Sequence, residues 1–206
     1  MCVIANNTVT TAGVAAIESG GTENIIVSNI IEDAARSGIF LSGDGHVVEA
    51  NQIRNSNTSN GDYDGIRIDS DYNVVTGNNI HDSTPRQKYG IREGAGVDFN
   101  KIEGNRIEGV VTAGILRVGA NTTIQFNQGH ITENSGTATL LNANTSVVVA
   151  HGLDATPTVI LITFTENPTN LIADWWIDTV GAANFTFNGV DPGASNLDFY
   201  WEAKAR

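Results

Sequence analysis

The chain has 206 residues, of which 40% are hydrophobic, so it is long enough to bury a substantial core. Its charged residues are mostly acidic: 11 Lys and Arg stand against 23 Asp and Glu, which gives a formal net charge of -12. This balance argues against nucleic-acid and membrane partners, because both carry negative charge. The single cysteine, Cys2, excludes an intrachain disulfide, and no run of about 18 apolar residues predicts a membrane helix.

The first two thirds of the chain repeat the pattern apolar-x-x-Asn-x-apolar six times. The recurring asparagines are Asn7, Asn29, Asn51, Asn78, Asn105 and Asn127. They follow one another at intervals of 22, 22, 27, 27 and 22 residues, and a period of this length is typical of a solenoid. We expect the asparagines to form a structural ladder at a bend, in which each side chain hydrogen-bonds the backbone and its neighbour.

A second set of apolar segments lies between the asparagine segments. These segments begin at Gly13, Gly38, Gly65, Gly90 and Gly114. Each repeat therefore holds at least two strands and two turns, which suits one coil of a three-stranded solenoid. Alternation along the strands predicts that Ile39, Ile66, Ile91 and Ile115 point inward, whereas Phe40, Arg67, Arg92 and Leu116 form one outward column.

These repeats resemble the coils of right-handed parallel β-helix proteins, the group that contains pectate lyases, rhamnogalacturonases, alginate epimerases and many phage tailspikes. The resemblance covers roughly residues 2 to 130 and implies an all-β fold with about six coils, which we place at residues 1–132. It indicates fold more than chemistry, since β-helices include lyases, hydrolases, epimerases and inert adhesins. Because the repeat begins almost at Met1, we expect a preceding segment or a partner to cover the first coil.

After Asn127 the repeat stops, and we interpret residues 129–136 as a linker. Turn signals such as Asp154–Pro157, Asn167–Pro168 and Asp191–Gly193 then separate short apolar segments. The six predicted strands are Ala138–Leu141, Ser146–Ala150, Thr158–Thr165, Ala173–Thr179, Asn184–Asn188 and Asn196–Ala203. Strands at this spacing predict an antiparallel β-sandwich, which we place at residues 133–206.

The second region looks like the small C-terminal sandwich of phage tail proteins, which is similar in outline to H-type lectins. The words that carry this resemblance include Asp174–Ile177 and Leu197–Ala203. In those proteins the sandwich is trimeric, so the resemblance implies a homotrimer. It also implies that some of the four residues Trp175, Trp176, Tyr200 and Trp201 anchor an interface, the alternative being that all four fill the core of one chain.

The two 27-residue intervals carry extra residues at similar phases of consecutive coils, at 54–64 and 81–89. Loops inserted at one phase form one wall beside the strands that follow them. This wall and the outward column bring together the candidate glycan-binding residues, which are Tyr63, Arg67, Asp69, Tyr89 and Arg92. Aromatic rings stack on sugars and arginines pair with carboxylates, so we predict an acidic or hydroxyl-rich glycan as ligand.

Catalysis in this groove stays open. A glycosidase needs two carboxylates about 5 to 9.5 Å apart, and the candidates are Asp64, Asp69, Glu93 and, in the second loop, Asp82. Most exposed carboxylates only solvate the surface, and no calcium cluster or Lys/Arg base set typical of lyases or epimerases is visible. The four histidines are scattered, so we predict no metal site and no cofactor.

Glu93 breaks the apolar pattern of its strand. It occupies the phase that we assign to Ala16, Leu41 and Ile68, which points into the core. Two arrangements are compatible with this position. Either Glu93 forms a buried ion pair with Arg117 one coil on, or the strand bulges and Glu93 joins the groove.

Three functions follow from these features. The first is a trimeric, tailspike-like protein of the virion surface or extracellular space that binds host-surface glycan. The second is a polysaccharide depolymerase, either a hydrolase or a lyase, that acts in the groove. The third is a trimeric scaffold with a purely structural role.

Overall fold

The computed structural model describes residues 1–165, 174–190 and 195–205, and these form strands but no helix. Accordingly, no helix that could span a membrane occurs in these ranges. The prediction of an all-β protein is confirmed. The chain divides into two compact units, Met1–His130 and Ile131–Arg206, so that the division falls two residues before the predicted domain boundary.

The first unit is a solenoid of three parallel sheets, and each coil contributes one short strand to each sheet in turn. The first sheet contains β1 (Val3–Ala5), β4 (Ile25–Val27), β7 (Val47–Glu49), β10 (Val74–Thr76), β13 (Lys101–Glu103) and β16 (Thr123–Gln125). The second contains β2 (Thr8–Thr10), β5 (Ile30–Glu32), β8 (Gln52–Arg54), β11 (Asn79–His81) and β14 (Arg106–Glu108). The third contains β3 (Ile17–Ser19), β6 (Ile39–Leu41), β9 (Ile66–Ile68), β12 (Tyr89–Glu93) and β15 (Ala113–Leu116). These strands make five complete coils and begin a sixth.

Stacked aliphatic side chains fill the interior of the solenoid. The fully buried members include Ile26, Val48, Val75, Ile31, Ile53, Ile80, Ile39, Ile66 and Ile91. β-Branched residues suit these positions because they pack well on a pleated surface. The predicted inward direction of Ile39, Ile66, Ile91 and Ile115 is confirmed by their burial.

The predicted asparagine ladder is present at the bend between the first two sheets. The backbone N of Asn51 donates to Asn78 Oδ1 at 3.0 Å, and Asn51 Nδ2 donates to the same oxygen at 2.9 Å. Asn51 Nδ2 also donates to the carbonyl of Ile26 in the preceding coil at 2.9 Å. Equivalent bonds join the other five asparagines, so each buried turn carries its own hydrogen-bond partners.

A second ladder, which the sequence pattern did not predict, lies just before the strands of the first sheet. Its members are Asn24, His46, Asn73, Asn100 and Thr122. The backbone N–H of each of the first four donates a hydrogen bond to the side chain of the next member. Their sequence intervals are 22, 27, 27 and 22 residues, the same intervals as in the first ladder. This shared period was a usable signal, but the mixture of residue types concealed it.

The predicted phase of the first coil is wrong. The structure places Ser19, not Ala16, beside Leu41, and the strand of this coil begins at Ile17 rather than near Gly13. Counting from the ladder gives the correct register, since Ile17 and Ile39 each lie ten residues after their asparagine. Ala16 takes the place that a glycine holds in the other coils, so the glycine pattern was misleading here.

The second unit contains two antiparallel sheets that share one core. One sheet has the order β17 (Glu133–Leu140), β22 (Leu197–Lys204), β19 (Val159–Phe164), and the other has the order β18 (Ser146–Ala150), β21 (Asn184–Gly189), β20 (Trp175–Asp178). The core between them includes Leu140, Val149, Phe185, Phe187, Leu197 and Phe199. Each of the six predicted strands overlaps one observed strand.

The predicted linker at 129–136 is wrong, because β17 already begins at Glu133, which lies opposite Lys204. Only the second half of this strand, from Ala138, was predicted, because its first half is polar and carries a glycine. The predicted turns at Asn167–Pro168 and Asp191–Gly193, and the first residue of the predicted strand at Ala173, lie outside the described residues.

The four large aromatic residues of this unit divide between core and surface. Trp201 is buried, whereas the exposed fractions of Trp175, Trp176 and Tyr200 are 44%, 49% and 55%. Trp175 also stacks on Phe187, with 5.9 Å between ring centres. The alternative that all four fill the core of one chain is therefore wrong.

Candidate functional site

A pocket of about 250 Å³ opens on the outer face of the third sheet. Its lining residues are Ala15, Glu18, Arg36, Ser37, Phe40, Asp62, Tyr63, Arg67, Asp69 and Arg92. We call this the groove pocket. It contains four of the five predicted glycan-binding residues, and the fifth, Tyr89, does not line it.

The floor of the groove pocket is the outward column of the third sheet. Glu18, Phe40, Arg67 and Arg92 lie side by side on four successive coils. Parallel pairing sets neighbouring members about 4.8 Å apart. The column places an aromatic ring beside two guanidinium groups, as the strand alternation predicted.

The wall of the pocket comes from the two inserted loops, which are joined to each other. The backbone N of Lys88 donates to the carbonyl of Tyr63 at 3.0 Å, and Asn57 Nδ2 donates to the carbonyl of Arg86 at 2.6 Å. Lys88 Nζ also lies 2.9 Å from Asp62 Oδ1. The insertions therefore form one continuous wall beside the sheet.

An ion pair fixes Arg67 and Asp69 on the floor. Arg67 Nε donates to Asp69 Oδ1, and Asp69 is the more exposed of the two side chains. Gly94 on the next coil makes room for the pair, because a Cβ at that position would overlap Asp69 Oδ1. The pair fixes the position of the Arg67 side chain, and both residues line the pocket.

Arg92 joins two aspartates at the border of the pocket. Its Nη1 and Nη2 donate to Asp62 Oδ2 and to the Asp62 carbonyl at 3.1 and 2.8 Å. Its Nε lies 2.6 Å from Oδ2 of the buried Asp64, although the two atoms are not aligned for a hydrogen bond. The Arg92 guanidinium also lies 5.7 Å from the ring centre of Tyr89. Tyr89 therefore contacts Arg92 without lining the pocket.

The two aspartates beside Arg92 have opposite pKa shifts. Burial raises the pKa of Asp64 to about 6, and the positive charges of Arg92 and Arg67 only partly oppose this effect. Hydrogen bonds from Lys88 and Arg92 lower the pKa of Asp62. At neutral pH Asp62 is therefore firmly ionised, whereas Asp64 is close to its titration range.

Neither predicted arrangement of Glu93 is correct. Its carboxylate is buried inside the coil and accepts hydrogen bonds from the backbone N of Val118 and Gly119 at 2.8 and 2.9 Å. Asn100 Nδ2 and Thr122 Oγ1 donate to its other oxygen at 2.9 and 2.5 Å. These four donors satisfy both carboxylate oxygens, and no cation of the described residues pairs with them, so Glu93 lies away from the groove and its role is structural.

Arg117, the predicted partner of Glu93, turns to backbone instead. It donates to the carbonyls of Gly119 and Ala120. Asp82 is also buried, and it accepts hydrogen bonds from the backbone N of Arg86 and Gln87 within its own loop. Among the predicted catalytic carboxylates, only Asp69 is exposed in the groove pocket.

Sequence reasoning missed Arg36, Glu18 and Asp62 as lining residues. Arg36 lies 5.7 Å from the ring centre of Tyr63, and in the described part of the chain its guanidinium has no carboxylate partner. A signal for it was available: Arg36 and Tyr63 each lie three residues before the inward isoleucine of their coils. Asp62 sits in an insertion whose path no repeat could predict.

The chain matches a protein family model described as the right handed beta helix region over residues 1–154. The chain belongs to this family. No curated protein sequence matches it significantly. The β-helix match accounts for the whole first unit and continues into the second, which the family description does not name.

Solved structures similar to the chain are tailspike proteins. The receptor binding domain of the Siphovirus 9NA tailspike is 14% identical over 95% of this chain and 33% of its own, with a TM-score of 0.52. The Dettilon tailspike protein is 14% identical over 98% of this chain and 56% of its own, with a TM-score of 0.49. The tailspike protein gp49 from Pseudomonas phage LKA1 has the same identity, coverage of 98% and 44%, and a TM-score of 0.49. The chain thus spans about half the length or less of these proteins, and the likeness to the 9NA domain supports a tailspike-like β-helix fold.

Proposed function

We propose that the chain belongs to a trimeric, tailspike-like protein of the virion surface or extracellular space, whose β-helix binds an acidic host-surface glycan in the groove pocket. The observation that carries this proposal is the combination of Phe40 and Tyr63 with Arg36 and Arg67 around one opening. Aromatic rings stack on the apolar faces of sugars, and guanidinium groups bind carboxylates with two parallel hydrogen bonds.

An arginine without an acidic partner makes the pocket suitable for an acidic ligand. The chain as a whole is strongly negative, yet its groove pocket holds three arginines against three carboxylates. Asp62 and Asp69 are each paired with an arginine, whereas Arg36 has no acidic partner in the described part of the chain. Arg36 is therefore the cation most available to a ligand carboxylate.

The burial of the predicted catalytic residues supports binding over hydrolysis. A glycosidase places two carboxylates on either side of the scissile bond. Asp64, Asp82 and Glu93 are all buried and engaged inside the fold, so they do not flank a ligand in the pocket. Three other carboxylates remain at the pocket, but Asp69 is tied to Arg67, and Asp62 is tied to Arg92 and Lys88. Neither is free to act on a ligand without breaking its ion pair, and Glu18 by itself does not supply the required pair.

The trimer is supported by the outer face of the sheet β17–β22–β19. Leu161 and Tyr200 have exposed fractions of 52% and 55%. Leu161 lies opposite Glu202, and Thr163 lies opposite Tyr200, so the two large side chains are diagonal neighbours on one face. Contiguous exposed apolar side chains of this kind are typical of protein interfaces.

Calorimetric titration of the full chain with a panel of capsular polysaccharides, both uronic-acid-containing and neutral, tests the groove. We expect Arg36→Gln to weaken binding of acidic polysaccharide about tenfold or more, since a charge-assisted pair is lost. Arg106→Gln, an exposed arginine on the second sheet, is the matched control and leaves this affinity unchanged. Equal affinities of wild type and Arg36→Gln contradict the proposal.

Reducing-end and unsaturated-product assays on the same mixtures separate binding from catalysis. We expect no product. Products that disappear in Asp69→Asn would instead establish a depolymerase.

A further inference from the structure

Two aromatic side chains stack on the surface of the β-helix, at the turn that precedes the first sheet. Tyr72 and Phe99 occupy the same position of consecutive coils, and their rings are 5.2 Å apart with 7° between the planes. Their exposed fractions are 59% and 49%. The turn joins the third sheet to the first, since Tyr72 follows β9 by four residues, and neither residue lines the groove pocket.

The backbone does not favour aromatic residues at these positions. Tyr72 and Phe99 have φ of 59° and 56°, in the left-handed region, and the preceding coil has Gly45 there with φ of 71°. Glu23, one coil before Gly45, has φ of 57°, so the left-handed conformation belongs to this turn in four consecutive coils. Bulky side chains are rare in this region, so aromatic residues at two of the four positions are unusual. Burial does not explain the rings either, because about half of each is open to solvent.

One face of the stack is uncovered. Backbone hydrogen bonds keep this turn in register from coil to coil, from Gly45 N to the Asp71 carbonyl at 3.1 Å and from Tyr72 N to the Asp98 carbonyl at 3.4 Å. Phe99 covers one face of the Tyr72 ring. On the other side the corresponding residue is Gly45, which has no side chain, so the space beside the ring is bounded by the Glu23 side chain one coil further on and not by another ring.

Carboxylates border this opening. Asp44 Oδ1 accepts the backbone N–H of Asp71, and Asp71 Oδ1 accepts that of Asp98. Within the described ranges, Oδ2 of Asp44 and of Asp71 accepts no hydrogen bond, so both oxygens are free for hydroxyl donors. Glu23 adds a further negative charge close to Gly45. Its Cγ lies 3.5 Å from the position that a Cβ on Gly45 would take. These charges attract hydroxyl groups and repel acidic sugars.

We propose that the Tyr72–Phe99 stack is a second glycan-binding site, which takes an uncharged sugar ring against the open face of Tyr72 and binds its hydroxyls through Asp44 and Asp71. The ligand proposed for this site is uncharged, whereas the ligand proposed for the groove pocket is acidic. A chain with both sites binds a mixed polysaccharide at two points, one acidic and one neutral. The stack site does not depend on the groove, so each can be tested separately.

The test is titration of the full chain with neutral oligosaccharides of glucose, galactose, mannose and rhamnose. We expect Tyr72→Gly to weaken binding of the neutral ligand about tenfold or more, because one stacked ring contributes binding energy of this size. Glycine suits the left-handed turn, so this change preserves the fold. Gly45→Asn is a second variant: it keeps both rings and closes the open face, and it is expected to weaken binding as well.

Phe126→Gly is the matched control. Phe126 is also an exposed aromatic residue in a left-handed turn, with φ of 56°, but it follows the first sheet instead of preceding it. It is expected to leave the neutral affinity unchanged. An acidic polysaccharide measured in parallel reports on the groove pocket, so failure of one site is distinguished from failure of the other.

Three results would overturn the proposal. The first is that wild type binds none of the neutral sugars. The second is that Tyr72→Gly and Gly45→Asn bind them as tightly as wild type does. The third is that Tyr72→Gly lowers the mass of the particle in solution, which would make the stack an interface between copies of the chain.

Discussion

His46 is the exception in the second ladder, where the other members are asparagine or threonine. Its ring Nδ1 accepts a hydrogen bond from the backbone N–H of Asn24 at 3.1 Å, and the backbone N–H of His46 donates to Asn73 Oδ1 at 2.9 Å. Its Nε2 is buried without an aligned hydrogen bond. Burial lowers the pKa of His46, and contacts with the Ser19 backbone and Asp44 only partly oppose this shift. The folded protein therefore holds this imidazole neutral.

Replacing His46 with Asn should reduce the loss of stability in mild acid. The unfolded state takes up a proton near pH 6.5 and the folded state does so at lower pH, so stability falls as pH drops below about 6.5. His46→Asn removes this contribution while keeping an oxygen for the Asn24 N–H. Urea unfolding at pH 7.5 and pH 5 measures the effect. An unchanged difference between the two pH values would show that His46 does not titrate with folding.

Asp64 should give the opposite slope. Its pKa is about 6 in the folded protein and about 3.8 when unfolded, so the folded state binds the proton more tightly. Stability is therefore highest below about pH 4 for this group and falls as pH rises to 6, by an amount on the order of 3 kcal/mol. Asp64→Asn should flatten that fall, as judged by urea unfolding between pH 4 and 7.5. Asp69→Asn, which changes an exposed aspartate nearby, is the control and should keep the wild-type profile.

At the scale of elements, the coil is the unit that the sequence predicts well. Residues at equivalent positions of successive coils pair with one another. Once the repeats were aligned correctly, the inward isoleucines and the outward column of Phe40, Arg67 and Arg92 were therefore predicted at the same time. The partners of Glu93 could not be predicted in the same way. Two of them, Asn100 and Thr122, belong to the second ladder, which the sequence pattern did not reveal. The other two are backbone N–H groups of Val118 and Gly119, whose direction depends on the path of a turn and on no residue type. The same reason explains why Asp62 was missed in its loop.

The ladder predicts a gradient of mutational cost along the β-helix. Asn78 accepts two hydrogen bonds from Asn51 and donates to the Val48 carbonyl and to Asn105 Oδ1, all in buried surroundings. Asn78→Ala should lower the free energy of unfolding by about 3–5 kcal/mol, because several buried groups lose their partners at once. Asn7→Ala, at the exposed end of the same ladder, should cost about 1 kcal/mol or less. Similar losses in both variants, measured by urea unfolding, would show that burial does not govern the contribution of the ladder.

At the scale of the whole molecule, the proposed trimer must overcome the repulsion between three acidic chains. Each chain carries a formal charge of -12, so assembly relies on apolar contact. The Leu161 and Tyr200 face is the surface that we propose for such contact, and the groove pocket belongs to the other unit. Salt screens the repulsion and should therefore strengthen the trimer.

Light scattering after size-exclusion chromatography tests this assembly. We expect the wild-type chain to have the mass of three copies at micromolar concentration, and the double variant Leu161→Ser/Tyr200→Ser to dissociate to single chains. Val148→Ser is the matched control, since Val148 is also exposed but lies on the sheet β18–β21–β20. It should keep the trimer.

Raising the salt concentration should move the dissociation of wild type to lower protein concentration, because screening weakens repulsion and leaves apolar contact intact. A wild-type chain that stays single in high salt would rule out the trimer, and dissociation of Val148→Ser alone would place the interface on the opposite sheet.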